Sequence, residues 1–346
     1  MNAIQRNQAF LSDLFAGKAA RRVAIIMEFE YASAPDDFAI SERPVSDFVP
    51  GLVENYRRAA ARQKLFDDDG VPYVKLTSNT GIFAAGFGCQ IHRFEGSNAA
   101  AIPFVHTAAE ADALKTPKHE NVRTLARILE MARLVRKELG PNVPIGVPDI
   151  QSPFDVAALI WNKEEMFLAM LETPDAVQRL VWKCHALLTS FLDDFRREFG
   201  NVNMCHCPTA WAPPEYGCWL SEDEVGAIST GMFDQFCLPV LTDLSRRYGG
   251  LFVHCCAAAD HQYGGFKKIP NLRGLNRVFQ APGAAPAVKA FSDQTVLMTA
   301  WLELPVVLGM LELSQPNTRW LLNMPYQPDE EAKRTYEALR EHRLAR

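Results

Sequence analysis

The chain has 346 residues, 48% of them apolar, and a formal net charge of -5, with 36 lysines and arginines against 41 acids. That length and apolar content support one large α/β domain or two medium ones, and exclude a disordered chain or a small disulfide-built scaffold. The evenly spread, slightly acidic charge gives no electrostatic reason to expect nucleic acid or an anionic membrane surface, which leaves small molecules and proteins as partners.

The opening segment MNAIQRNQAFLSDLFAGKAARR sets Ile4, Phe10, Leu11, Leu14 and Phe15 on roughly one helical face without a continuous apolar run. It predicts a helical extension over 1–20, not a secretory signal. After it, short apolar runs recur at 22–28, 71–76, 143–150, 201–207, 251–256, 272–278, 295–301 and 319–324, each followed by a polar or glycine-bearing loop. Long helical patterns fill the intervals. One starts with Thr173 as N-cap and Pro174 at the first helical position and stops at Gly200; another stops at Gly140 and Pro141. Ser221 and Glu224 have capping-box spacing at the start of a further helix.

Alternation of strands with helices, runs apolar on both faces and a count near eight predict a (β/α)8 TIM barrel, a single domain over 1–346, with a doubly wound open sheet as runner-up. The proline-rich 208–217 reads as a long loop after the fourth strand. The most apolar stretch, 295–313, is interrupted by Glu303, Pro305 and Glu312 before it reaches the ~20 residues of a membrane span. Eight cysteines without an export signal suit a soluble protein of the reducing cytoplasm.

In a barrel the chemistry gathers where the strands end, so the run GGLFVHCCAAADH (249–261) draws attention. Side chains alternate along a strand, so His254 and Cys256 point the same way, as do Cys205 and Cys207, with His206 facing away. Imidazole and thiolate suit zinc, and a catalytic zinc keeps one position open. The plainer reading is core packing, because free cysteine is among the most buried residue types. Cys89, Cys184 and Cys237 fit that reading better, among apolar helical neighbours. Asp149 and Gln151 end the third run and are the catalytic candidates; Asn79, Trp301 and Asn323 are the substrate-binding ones. Asp149 equally suits a helix cap and Trp301 a core position. No serine-hydrolase elbow, P-loop or dinucleotide fingerprint is present. Asp260 directly adjoins His261, so the Asp-x-His-x-x-Gly box of a corrinoid-carrying domain is absent.

Four segments, at 80–96, 150–181, 221–256 and 321–341, together resemble the uroporphyrinogen decarboxylase superfamily, over most of the chain from about residue 70 onward. The resemblance implies a barrel with its site at the C-terminal rim and one of two chemistries. Tetrapyrrole decarboxylation needs N-terminal arginines and an aspartate before the glycine-rich turn; here the segments read IIMEFEYASAPDD and VKLTSNTG, so substrate carboxylates would meet Glu28, Glu30 and Asp36. Cobalamin-linked methyl transfer uses a His-x-Cys and a distant C-terminal cysteine to hold zinc. His254 and Cys256 match the first part, whereas Asn323 and Met324 stand where the third ligand is expected. Cys207 or a nearby carboxylate then completes the site, or no metal binds. The resemblance thus implies a zinc-dependent methyltransferase-like enzyme acting on a small substrate, with the corrinoid (cobalamin) on a separate protein. A metal-free carboxy-lyase anchored by Arg93, Arg273 or Arg277 is the second reading, and a non-catalytic binding protein the third.

Overall fold

The computed structural model describes every residue except 33–37, 39, 94, 96–98, 280–281, 343 and 345–346, so Asp36 lies outside the described residues. Among the described residues ten strands are formed: β1 (Val23–Met27), β2 (Gln90–Arg93), β3 (Ala99–Ile102), β4 (Ile145–Gly146), β5 (Val202–Asn203), β6 (Cys218–Ser221), β7 (Leu251–Cys255), β8 (Leu272–Arg277), β9 (Val296–Thr299) and β10 (Arg319–Met324). Six make one parallel sheet in the order β1-β10-β9-β8-β7-β6, β4 and β5 make a parallel pair, and β2 and β3 an antiparallel hairpin.

This is an α/β protein with a parallel sheet; among the described residues the strands do not form one continuous eight-stranded ring of the expected barrel. The physical reason lies at the sheet's two edges. The outer N–H groups of Ile25 and Met27 in β1 donate to the carboxylates of Asp69 (2.8 Å) and Asp68 (2.7 Å) instead of to a neighbouring strand. Buried side-chain acceptors thus satisfy that edge, which would otherwise carry unpaired backbone donors. The run 71–76 consequently contributes a single bridge, Val74 to Ile145. At the other edge, β6 is bridged by Gln151 to Ser221, with Ser152 N–H donating to Ser221 O at 2.7 Å.

β6 itself corrects the sequence reading, which passed from the proline-rich loop straight to a helix. Ser221 ends a strand and does not cap one; the residues after it form a 3-10 turn, Glu224–Ala227. The long helix Pro174–Phe199 is present with Thr173 at its N-cap position as expected, although the Thr173 hydroxyl bonds back to Ala169 O (3.5 Å) and not to the helix's own N–H groups.

Alternation divides the sheet's side chains into two packing layers. Val23, Ile25, Leu220, Val253 and Cys255 face the helices. Ala24, Ile26, Trp219, Phe252, Met298 and Leu321 face the other way, with Leu11, Leu14 and Phe15 of the N-terminal helix Ala3–Ala16. Trp219 stacks on Phe252 with centroids 4.7 Å apart, and Phe15 meets Phe252 edge-on at 5.0 Å. Gly274 makes room for this, since a Cβ there would lie 2.7 Å from the Phe252 ring. The predicted extension is therefore a plug under the second layer. Cys184, Cys218 and Cys237 are buried and all eight cysteines are free, so the thiols outside the rim pack as apolar side chains.

Candidate active site

Parallel strands bring their C-terminal ends to one rim. There a cavity of about 590 Å³ is lined by Lys75, Asp149, Gln151, His206, Cys207, Asp223, His254 and Trp301, among others. His254 stands two positions beyond Phe252, on the same face of β7, and is 6% exposed. Cys256 lies one residue past the strand and is exposed, while Cys255 turns into the helix-side core. His254 and Cys256 come together as a candidate group, although Cys256 lies beyond the strand whose alternation was to place it.

The imidazole is held by a relay. Asn276 Nδ2 donates to Met298 O at 2.9 Å, which leaves Asn276 Oδ1 facing His254 Nδ1 at 2.5 Å. An amide oxygen can only accept, so the ring proton belongs on Nδ1 and the Nε2 lone pair is left for a cation or substrate. One ligand atom each from Asp223, His254 and Cys256 lies within 4.8 Å of the others. Asp223 is fixed in turn: its Oδ1 accepts from Cys256 N–H (2.6 Å) and its own N–H donates to Asp155 (2.6 Å). A carboxylate oxygen, an imidazole nitrogen and a thiol with room for a fourth ligand are a donor set that fits catalytic zinc.

Cys207 stands apart from that group, its Sγ 3.5 Å from Nδ1, the nitrogen already engaged by Asn276. The third member of the candidate group is the nearby carboxylate, Asp223. Burial pushes the thiols of both Cys207 and Cys256 up to about 12; Lys75 draws the first down a little, and Asp223 adds to the rise of the second. Neither is a thiolate at neutral pH unless a cation joins it. A second candidate group, His119 with Glu120 and Asp194, lies away from this cavity; its ring is already engaged on both sides, Nδ1 by Ser190 Oγ at 2.9 Å and Nε2 by Asp194 at 3.2 Å.

Asp149 and Gln151 both line the cavity and bond to each other, Gln151 Nε2 donating to Asp149 Oδ1 at 2.9 Å. Ser152 caps the helix Pro153–Ile160, so Asp149 is not a cap. His206 also lines the cavity, contrary to the expectation that it faces away: β5 ends at Asn203, and alternation does not extend beyond it. Its Nδ1 is 3.6 Å from Asp149, and burial pushes its pKa down to about 4, so the ring is neutral. Trp301 is 61% exposed, meets His254 edge-on at 6.2 Å and has a φ of 63°, rare for a side-chain-bearing residue; it is not core.

The structure does not bring Asn79 and Asn323 to the main cavity. Asn79 Oδ1 accepts from Gly81 N–H at 3.0 Å in a local turn, and Ser78 and Thr80 line the cavity in its place. Asn323 donates to Glu28 and to Thr209 O, both at 3.0 Å, and lines a side cavity of about 200 Å³. Two of the arginines offered as carboxylate anchors are committed elsewhere: Arg277 donates to two backbone carbonyls and to Asp260, and Arg273 lies over the Tyr216 ring. Asp223, His206 and Lys75 are the cavity residues that sequence reasoning missed. A short apolar run ending in acids, CWLSED, was the available signal for Asp223.

A sequence profile of the uroporphyrinogen decarboxylase (URO-D) family matches residues 69–276, more than half of the chain, and the chain belongs to that family. None of the curated proteins compared matches it. Among solved structures it is similar to a methyltransferase from Methanosarcina mazei, with a TM-score of 0.65 and 12% identity over 96% of this chain and 98% of that one. At that identity the likeness speaks for the fold. No helix among the described residues is long and apolar enough to cross a membrane.

Proposed function

We propose that this protein is a zinc-dependent, methyltransferase-like enzyme that moves a methyl group between a small substrate and a corrinoid carried by a separate protein. The observation that carries the reading is the convergence of Asp223, His254 and Cys256, the first two on the wall of the open cavity, with the His254 tautomer set by Asn276. A zinc ion there would supply Lewis acidity, lowering the pKa of a substrate thiol from about 8.5 or polarising the heteroatom that carries the methyl group.

The chain's own residues do the rest. Asn276 keeps the imidazole proton away from the cation side. Asp149 and Gln151, bonded to each other, offer an acceptor and a donor to a substrate in the cavity. Trp301 is an apolar wall at the mouth, beside His254, where a carrier protein would approach. His206, neutral at working pH, adds no charge that would repel a cation.

Metal analysis of the purified full chain tests the reading. About one zinc per chain is expected, lost in the His254→Ala, Cys256→Ala double variant and weakened in Asp223→Asn. Well-folded protein that stays metal-free after zinc is supplied would sink it.

A further inference from the structure

Alternation along 71–76 sets Val71, Tyr73 and Lys75 on one face, and all three line a chamber of about 50 Å³ beneath the main cavity. Lys75 also lines the main cavity and the side cavity, and among the described residues it is the sole lysine or arginine lining any of the three. Its side chain is exposed. The carboxylates around it already have donors of their own: Glu28 has Asn323 and Tyr31, Asp149 has Gln151, and Asp68 has the N–H groups of Met27 and Gly70. Among the described residues no hydrogen bond or ion pair engages the Lys75 ammonium, so its charge is offered to the cavity.

Below it the chamber has the opposite problem. Tyr73 and Gln63 are 6% and 5% exposed, and the Tyr73 hydroxyl and Gln63 Nε2 have no hydrogen-bond partner. Buried donors without acceptors are costly, and both belong to residues lining the chamber. A space of this size admits only a few atoms, given the ~10–15 Å³ that one water needs. Two strand positions separate Tyr73 from Lys75, roughly 7 Å along the chain.

We propose that the substrate is a small organic acid whose carboxylate pairs with Lys75 while an oxygen at its far end enters the chamber and accepts from Tyr73 and Gln63. This deepens the function proposed above and rests on it only in taking this cavity as the substrate site. It also explains why the site needs none of the arginines that the sequence offered.

Ligand-observed NMR titration of the full chain tests it, as purified and after chelator treatment, so that carboxylate binding to a metal is separated from pairing with Lys75. The probes are 4-hydroxybenzoate and 6-hydroxyhexanoate, with their uncharged amides and with benzoate and hexanoate, which lack the far oxygen. At least one hydroxy acid should bind the chelated wild type about tenfold or more tightly than its amide. Lys75→Met should abolish that preference and Lys75→Arg retain it. Tyr73→Phe should weaken the hydroxy acid and leave the acid without a hydroxyl unchanged. Failure of both hydroxy acids to bind, or equal binding by a Lys75→Met variant with wild-type circular dichroism and melting, overturns the inference. Zinc content of the same samples separates the two readings: zinc bound without Lys75 dependence removes the acid alone, and Lys75-dependent binding without zinc removes the metal alone.

Discussion

Phe252 and His254 sit two residues apart on one face of one strand, yet they belong to different worlds. Phe252 is pressed between Trp219 and the N-terminal helix with no polar atom to satisfy. His254, one step nearer the rim, has its proton placed by Asn276 and shares its surroundings with an acid and two thiols. The lower layer secures the fold through buried area, which is indifferent to direction; the rim secures function through hydrogen bonds, which are not. Substitutions in the two halves should accordingly be read in different measurements.

The largest expected effect is in the lower layer. Phe252→Ala should cost about 3–5 kcal/mol in denaturant unfolding, because it empties a site that Gly274 leaves open for the ring. A cost under ~1 kcal/mol would mean that the stack is not structural. At the rim, Asn276→Leu should leave unfolding nearly unchanged in the metal-free protein but weaken zinc binding by about 10- to 100-fold, because the imidazole loses the partner that sets its tautomer. Competition with a chelator of known affinity measures it, and unaltered affinity would remove Asn276 from the site.

Between the halves lies Glu222, fully buried beside Asp155. Burial pushes both carboxyls up, Asp155 well above its ordinary value although it accepts two backbone N–H groups, and Glu222 from 4.5 to about 8. A carboxyl raised in the fold gives its full stabilisation below its unfolded value and loses it as the pH climbs through the folded one. Unfolding free energy should therefore fall as the pH rises from 4.5 toward 8, by up to about 1 kcal/mol per pH unit, with a flatter profile in Glu222→Gln. A wild-type profile flat over that range would contradict the assignment. The smallest effect is at the mouth: Trp301→Gly should raise stability by up to ~1 kcal/mol, since glycine adopts a positive φ without strain.

The apolar runs and the helices between them were legible because burial on both faces leaves a strong pattern in composition, and the family was legible in motifs such as the Ser-Pro-Phe segment. His254 was legible because alternation is reliable inside a strand, and Cys256 because it follows directly on that strand's end. The same rule failed at His206, three residues after the end of β5, where the backbone no longer alternates. Asp223 was hidden because the strand that delivers it, β6, is four residues long and follows a proline-rich loop. The edge satisfied by Asp68 and Asp69 was not legible at all, since three consecutive aspartates on a sequence read as solvated charge and only tertiary contact makes them acceptors for β1. Lys75 was passed over inside an apolar run whose inward face carries the cavity.

X-ray absorption at the zinc edge of the full chain bears most directly on the convergence of Asp223, His254 and Cys256. About one sulfur per zinc is expected beside nitrogen and oxygen scatterers, disappearing in Cys256→Ser and surviving in Cys207→Ser. A zinc-free protein, or a sulfur signal that vanishes with Cys207 and persists without Cys256, would contradict it.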